Sequence, residues 1–139
     1  MATRIKRIEG LTLAAISESG HWVVADTVEK LDGSDGATRP MEMLLMSLGG
    51  CTGMDVLSIL KKMRVELDDF EILIDSERAD EHPKVYTKIH LAYKFFGKNI
   101  DKAKVEKAVD LSQNRYCSIS AMLKATVEIT STIEINPEK

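Results

Sequence analysis

The 139-residue sequence has only two cysteines and three prolines, and it contains no internal repeat, low-complexity tract or long linker. Nothing in it therefore indicates a disulfide framework or a division into several domains. A chain of this length can bury about two-thirds of its unfolded surface without disulfide or metal staples. We expect a single domain over residues 1–139, stabilised by an ordinary hydrophobic core.

The sequence also lacks a large excess of charge of either sign. Its formal net charge is −3 and 29% of its residues are charged, so the composition does not favour a nucleic acid or an anionic membrane as a partner. The first nine residues carry charges, but no apolar segment follows them as it would in a signal peptide. We therefore expect a cytoplasmic protein, in which thiols are normally kept reduced.

Motifs for metal ions and phosphate groups are missing as well. The sequence has no CxxC or HxxxH pair, and its three histidines, His21, His82 and His90, are scattered, so we do not expect a zinc site. The glycine cluster at residues 49–53 lies within a helical pattern and lacks the Lys-Ser/Thr ending of a phosphate-binding loop. We expect no cofactor.

The most informative stretch that is present covers residues 39–65. Pro40 suits the first position of a helix. The apolar residues that follow recur at helical spacing: Met41, Leu44, Leu45, Leu48, Val56, Ile59, Leu60 and Met63. This pattern predicts a buried helix that ends near Met63 or Arg64. The acids Glu42 and Asp55 within it argue against a membrane span.

Three glycines interrupt the middle of this helix. Each of Gly49, Gly50 and Gly53 costs roughly 1 kcal/mol relative to alanine in a helix interior. Their position around Cys51 indicates close approach of another backbone, or room beside the sulfur. The helix also carries more apolar surface than one small domain can cover. We therefore expect an obligate homodimer in which the helix packs against its partner copy.

The other segments predict an α+β domain. Alternating or glycine-bounded apolar patterns predict strands over residues 4–8, 11–17, 21–28, 70–75, 85–95 and 127–135. Gly10 and Gly20 lie between the first three strands and predict tight hairpins, and therefore an antiparallel meander. A helix capped by Asn99 or Asp101, and a short helix over residues 119–124, are predicted between the last two strands. In strand 85–95 we expect Val85 on the same face as Ile89, with Tyr86 on the opposite face.

Both cysteines lie in distinctive surroundings. Cys51 is in the most apolar part of the chain, where a buried thiol is usually inert, but the glycines around it clear space at the sulfur. Cys117 follows Arg115 and is predicted at a helix N-terminus, where unpaired N–H groups and a cation favour the thiolate. Asp55 lies four residues after Cys51 and therefore on the same helix face. The residues alone leave open whether the cysteines are reactive or merely buried.

Two motifs, taken together, carry a resemblance to a known family. The first is Pro40-Met41-Glu42 followed by Gly49-Gly50-Cys51, and the second is Arg115-Tyr116-Cys117-Ser118. With the order of the predicted elements, they resemble the OsmC/Ohr family over essentially the whole chain, most closely its YhfA-like branch. The resemblance implies an OsmC-like α+β fold, in which antiparallel sheets pack on two central helices of an intertwined homodimer.

The resemblance also implies an activity, the reduction of organic hydroperoxides by a two-cysteine mechanism that protects against oxidative stress. Cys51 matches the cysteine that attacks the peroxide. Cys117 matches the resolving cysteine, which converts the resulting sulfenic acid into a disulfide. A thiol or dithiol reductant would then restore both thiols.

Two positions depart from the family pattern. The family's glutamate directly follows the motif proline, where this chain has Met41, and the acid comes one residue later at Glu42. On a helix this shift rotates the side chain by about 100°. The family's arginine in the first strands has no counterpart. We therefore consider two cations that could poise Cys51: Arg115, or Arg39 reaching across from a partner subunit.

These departures keep a second hypothesis open. The chain could be a non-catalytic dimeric protein, related to stress or to binding a small molecule, whose cysteines are structural. Glu42 would then be a first-turn acid that complements the helix dipole. Under the first hypothesis the site residues are Cys51, Cys117, Glu42 and Arg115.

Overall fold

The structure is a computed structural model that describes residues 2–138. Its elements follow the order three strands, a long helix, two strands, two helices and a final strand, which confirms the predicted α+β class. The chain divides into two compact units, one up to Met46 and the other from Ser47 onwards. Each unit is described separately below, and the single domain expected from the sequence stays a prediction.

The first unit contains an antiparallel meander, as predicted. Strands β1 (Arg4–Glu9), β2 (Thr12–Ile16) and β3 (Trp22–Ala25) are joined in that order. The two turns use Gly10 and Gly20, which both have positive φ angles of 51° and 78°. Glycine adopts this region at no steric cost, which explains why the hairpins break at these positions.

The loop after β3 is organised by one buried carboxylate. Asp26 is 3% exposed and accepts hydrogen bonds from the backbone N–H groups of Thr27, Ser34 and Gly36 and from the Ser34 hydroxyl. These bonds, led by the one from the Ser34 hydroxyl, hold the pKa of Asp26 well below its usual range. The carboxylate therefore fixes a loop that includes a short 3₁₀ turn, Glu29–Leu31.

Helix α1 (Pro40–Lys62) has the predicted start and ends one residue before the predicted range. At its start, Glu42 accepts the backbone N–H of Arg39 at 3.0 Å, which satisfies a donor that the helix itself leaves unpaired. At its end, Arg64 has a φ of 58°, so the chain leaves the helix there. By length and composition α1 could also cross a membrane, but the core helix of a soluble protein passes the same test.

The sheet of the second unit differs from the prediction. Strands β4 (Asp69–Arg78) and β5 (Tyr86–Phe96) are antiparallel, but β6 (Glu128–Ile135) pairs with β5 in parallel. The expectation of purely antiparallel sheets is therefore wrong for β6. The physical reason is the helical connection between β5 and β6, because a crossover of this length can return the chain to the same end of the sheet.

The start of β5 is also displaced from its predicted alternation. Glu77 pairs with Lys88 and Arg78 pairs with Tyr86, so Thr87 is an extra residue in the ladder. Such a bulge switches the faces of the residues before it. Tyr86 is consequently buried and Val85 is half exposed, the reverse of the expectation from the sequence.

The connection between β5 and β6 contains two helices. Asp101 caps α2 (Lys102–Leu111) by accepting the N–H of Lys104 at 3.3 Å, as one of the two predicted caps. A π-helical turn, Ser112–Tyr116, follows α2, and α3 (Ser118–Leu123) begins directly after Cys117. The connection thus places Cys117 at the N-cap of a short helix.

The core of the second unit is formed by one face of β5, the inner faces of α1 and α2, and the residue before β6. Its buried apolar side chains include Leu48, Val56, Leu60, Ile89, Leu91, Tyr93, Phe95, Val105, Val109 and Val127. Two of the α1 glycines contribute to this packing. A Cβ atom at Gly49 would lie 2.8 Å from the side chain of Ile74, and one at Gly53 would lie 3.3 Å from that of Ile72. These glycines therefore admit side chains of β4, while a Cβ atom at Gly50 would have open space around it.

Candidate active site

The two cysteines and one carboxylate come together in the second unit. The sulfur atoms of Cys51 and Cys117 and a carboxylate oxygen of Asp55 all lie within 4.8 Å of one another. Cys51 and Asp55 are four residues apart on α1 and share a face, as predicted, while Cys117 comes from the N-cap of α3. Both cysteines are free thiols. The fold therefore makes neighbours of two thiols that lie far apart in the sequence.

The position of Cys117 is set by the turn before it. Its backbone N–H donates to the carbonyl oxygen of Ser112 at 2.8 Å, which closes the π-helical turn. Its sulfur accepts the backbone N–H of Ser120 at 3.4 Å, so the thiol itself caps α3. The side chain is 2% exposed. Cys117 is therefore a buried sulfur held in a fixed direction.

Cys51 is the more accessible of the two thiols, and its surroundings favour the protonated form. Burial raises the pKa of Cys51 most, followed by the hydrogen bond with Cys117; the charge of Asp55 adds to the increase. The backbone N–H of Ile119, in the first turn of α3, donates to the Cys51 sulfur and acts in the opposite direction. The two sulfurs thus accept N–H groups from the same turn of helix, but the net pKa of Cys51 lies above its ordinary value.

A chain of buried polar groups runs from Asp55 into the core. Ser112 Oγ lies 3.2 Å from Asp55 Oδ2 and 2.8 Å from Thr52 Oγ1. Thr52 Oγ1 lies 2.7 Å from the hydroxyl oxygen of Tyr93, which accepts a bond of 3.2 Å from Gln113 Nε2. Burial raises the pKa of Tyr93 and keeps its hydroxyl protonated. Each hydroxyl has one proton. The Ser112 hydroxyl can donate it either to Asp55 Oδ2 or to the carbonyl oxygen of Thr52 at 3.3 Å, and the chain runs towards Asp55 when it donates to the carboxylate.

The sequence did not indicate these polar residues. Thr52, Ser112 and Tyr93 belong to three elements, and Thr52 is 41 positions from Tyr93 and 60 positions from Ser112. Thr52 and Ser112 are fully buried, although threonine and serine are mostly exposed in proteins. The only local signal was that Thr52 directly follows Cys51.

A groove of about 330 Å³ opens beside Asp55. Its walls are mostly apolar, with a lysine and a serine among them; the lining residues are Asp55, Ser58, Ile59, Lys62, Met63, Leu111 and Tyr116. A groove with apolar walls and one carboxylate shared with the thiol pair suits a small organic molecule that carries a polar reactive group.

The other predicted site residues have contacts of their own. The guanidinium carbon of Arg115 lies 5.5 Å from the centre of the Tyr116 ring, a cation–π distance. Arg115 is not among the groups that act on the Cys51 thiol within residues 2–138. In the first unit, Glu42 accepts the Arg39 backbone N–H and forms an ion pair of 3.5 Å with its guanidinium, which also contacts Asp35. These contacts are those of a helix-capping acid, and a catalytic role for Glu42 or Arg115 stays a prediction.

The thiol pair and Asp55 also form the one cluster in the described part of the chain that could hold a metal ion. Two thiolates and a carboxylate are ligands that zinc accepts. The sequence predicts no zinc site, because no CxxC or HxxxH pair is present. The cluster forms without such a pair because Cys117 comes from the N-cap of α3, far along the chain from Cys51 and Asp55. It offers three ligand atoms, of which Cys51 and Cys117 must be deprotonated to bind a metal.

Comparison with known proteins identifies the fold. The family model for OsmC-like proteins matches residues 33–132. The chain belongs to the OsmC-like family. It is 42% identical to protein YhfA of Escherichia coli K12 over 135 residues, which cover 97% of this chain and 98% of that protein. The resemblance stated from the cysteine motifs is thus confirmed.

Solved structures of other proteins share this fold. A protein from Aquifex aeolicus VF5 aligns with a TM-score of 0.81 and 32% identity, covering 98% of this chain and 97% of that one. An organic hydroperoxide resistance protein OsmC from Legionella pneumophila aligns with a TM-score of 0.67 and 15% identity, covering 96% of this chain and 97% of the other. At that identity the second comparison supports the fold alone.

Proposed function

We propose that this OsmC-like protein is a thiol-dependent peroxidase that reduces organic hydroperoxides with Cys51 and Cys117. The observation that carries the proposal is the placement of the two sulfurs within 4.8 Å of each other, one on α1 and one at the N-cap of α3. Two free thiols this close, one partly accessible and one buried, suit an attacking and a resolving cysteine.

The chemistry proceeds in two steps. The Cys51 sulfur attacks the outer peroxide oxygen, the O–O bond breaks, and the products are a sulfenic acid on Cys51 and an alcohol. Cys117 then attacks the sulfenic sulfur, and a disulfide and water are formed. An external thiol or dithiol reductant returns both cysteines to the thiol state by exchange. No cofactor takes part in this scheme.

The groove beside Asp55 supports an organic substrate. Its apolar wall residues, Ile59, Met63 and Leu111, can bury an alkyl or aryl group beside Asp55, whose carboxylate lies within 4.8 Å of both sulfurs. The Legionella structure of the same fold is described as an organic hydroperoxide resistance protein. Protection against oxidative stress in the cytoplasm would follow from this activity, with no nucleic acid or membrane as partner.

The functional form in this proposal is an intertwined homodimer. On α1, Met54 is 70% exposed and Leu57 is 42% exposed, and a Cβ atom at Gly50 would have open space around it. On α3, Met122 is 68% exposed. Exposed large apolar side chains around a glycine suit an interface at which a second helix approaches closely.

The alternative is a non-catalytic protein that binds a small molecule in the same groove. The raised pKa of Cys51 favours this alternative, because a peroxidatic cysteine reacts as the thiolate. The two functions differ in what the cysteines do when peroxide is added, so single-turnover chemistry distinguishes them.

The test uses reduced wild-type protein and the variants Cys51→Ser and Cys117→Ser with cumene hydroperoxide. We expect wild type to consume one equivalent and form the Cys51–Cys117 disulfide. Cys117→Ser should consume one equivalent and accumulate a sulfenic acid on Cys51, detected with a dimedone probe and mass spectrometry. Cys51→Ser should consume none. Labelling of Cys117 instead, or equal behaviour of the two variants, would contradict the proposal.

A further inference from the structure

We propose that Asp55 is a catalytic residue of this site, which takes the proton from the attacking thiol and returns it to the oxygen that leaves. This inference rests on the proposed peroxidase function and assigns the proton transfers that the two cysteines cannot perform by themselves. It makes one carboxylate serve both the attack by Cys51 and the resolution by Cys117.

The geometry is the first support. A carboxylate oxygen of Asp55 lies within 4.8 Å of both sulfurs, so the same group is a neighbour of either thiol. Hydrogen bonds of catalytic groups commonly shorten when the substrate binds. Asp55 also lines the groove, so its carboxylate meets a peroxide that enters from that side. In the described residues, no other acid lies in both the thiol cluster and the groove.

The polar chain behind Asp55 is the second support. Asp55 Oδ2 lies 3.2 Å from Ser112 Oγ, which is bonded through Thr52 to the hydroxyl of Tyr93. When each hydroxyl donates towards Asp55, the carboxylate is held as a hydrogen-bond acceptor in a fixed orientation. A positioned acceptor beside a thiol is the arrangement that general-base catalysis requires.

The state of Cys51 explains why a base is needed. Burial, the bond with Cys117 and the charge of Asp55 all favour the protonated thiol, and only the N–H of Ile119 opposes them among the groups acting on Cys51 in residues 2–138. A thiol must lose its proton as it attacks, because the thiolate is the nucleophile. Asp55 therefore has two opposite effects: it disfavours the free thiolate, and it accepts the proton in the transition state.

The proton balance is complete in both steps. As Cys51 attacks the hydroperoxide, its S–H proton moves to Asp55 and then to the departing alkoxide, so thiol and hydroperoxide become sulfenic acid and alcohol. As Cys117 attacks the sulfenic sulfur, its proton moves to Asp55 and then to the departing hydroxide, and disulfide and water result. Asp55 ends each step in its starting state, and the oxidant is the peroxide itself.

The test compares Asp55→Asn with wild type, using the two classes of oxidant whose leaving groups differ. Cumene hydroperoxide expels an alkoxide, which needs a proton, whereas a peroxycarboxylic acid expels a carboxylate, which does not. General acid catalysis typically contributes 10²–10⁴-fold. We expect Asp55→Asn to slow cumene hydroperoxide consumption by about 100-fold or more and the peroxycarboxylic acid far less. Asp110→Asn, on the exposed acid that accepts Asn114 Nδ2 at 2.7 Å, is the matched control.

A second readout separates proton transfer from a structural or purely electrostatic role. Alkylation of Cys51 by iodoacetamide requires the thiolate but no proton delivery to a leaving oxygen. Removing the Asp55 charge lowers the pKa of Cys51, so Asp55→Asn should be alkylated faster at pH 7 while it reduces cumene hydroperoxide more slowly. All assays contain a chelator, so that metal bound by the cluster does not contribute.

Several outcomes would overturn the proposal. If both oxidants lose rate equally, Asp55 has a structural role; if alkylation and peroxide reduction both become faster, Asp55 only represses the thiolate. A wild-type protein that reduces neither oxidant would contradict the peroxidase function itself, which is a different result from any that removes Asp55 alone.

Discussion

The backbone N–H of Ile119 donates a hydrogen bond to the sulfur of Cys51, although the two residues lie on different helices. This hydrogen bond lowers the pKa of Cys51. Burial and the neighbouring Cys117 and Asp55 raise the pKa by more, so that the net pKa is raised. Helix N–H groups stabilise a thiolate because they carry a partial positive charge. The reactivity of Cys51 therefore depends on how α3 is held against it.

The first prediction concerns the pH dependence of Cys51. In the Cys117→Ser background, alkylation by iodoacetamide should rise with pH to a midpoint above that of an ordinary thiol, because burial still disfavours the charged form. The folded state then binds the thiol proton more tightly than the unfolded chain. This difference adds to the free energy of unfolding below the ordinary thiol pKa. The contribution is lost as the pH rises through the raised pKa of Cys51 in the folded protein. Alkylation rates followed by mass spectrometry from pH 6 to about 10 measure the midpoint.

Arg115 enters the same experiment as the cation proposed from the sequence. If its charge acts on Cys51, Arg115→Ala should move the midpoint upwards, since loss of an opposite charge disfavours the thiolate, and Arg115→Lys should retain part of the effect. Its guanidinium packs on Tyr116, whose ring lines the groove. An unchanged midpoint in Arg115→Ala would remove Arg115 from the activation of the thiol.

The second prediction concerns the buried hydroxyl chain. Thr52→Val keeps the side-chain shape but removes the hydroxyl that joins Ser112 to Tyr93, both of which are fully buried. Leaving these groups with fewer partners should lower the free energy of unfolding by about 1–3 kcal/mol. Urea unfolding measures the change, with the slope expected to stay constant.

The control is Thr126→Val, at an exposed threonine that takes no part in the hydrogen bonds between Thr52, Ser112 and Tyr93. It should change the free energy of unfolding by no more than about 0.5 kcal/mol. Equal losses in the two variants would indicate that the cost comes from replacing threonine by valine in general, and the hydroxyl chain would then have no special place in stability.

The sequence was a good guide to elements with local signals. The helical spacing after Pro40 predicted α1, the glycine turns at Gly10 and Gly20 predicted the meander, and Asp101 was one of two predicted caps of α2. These features depend on residues within a few positions of each other, so the local sequence pattern is enough to predict them.

Features that depend on distant residues were not predictable in the same way. The alternation of apolar and polar residues in β6 is the same whether the strand runs parallel or antiparallel to β5. The extra Thr87 is recognised only when β4 is paired with β5. The meeting of Cys51 and Cys117 followed from the family resemblance, since spacing along the chain does not determine a distance in the fold. Asp55 was placed on the Cys51 face by its helical spacing, but its bond to Ser112 requires the tertiary structure.

The third prediction concerns assembly. Met54 is 70% exposed in the single chain, so in a monomer Met54→Glu would be a surface substitution that changes stability by no more than about 0.5 kcal/mol. In the proposed homodimer the same change would bury a charge in the helix interface without a partner, which is strongly unfavourable. We therefore expect wild type to sediment as a dimer at micromolar concentration and Met54→Glu to dissociate.

Lys107→Glu, on the exposed side of α2, is the control and should remain dimeric. Sedimentation velocity and circular dichroism measure assembly and folding separately. A wild-type protein that is monomeric with a well-folded spectrum would contradict the homodimer, and a Met54→Glu protein that stays dimeric would move the interface away from this face of α1.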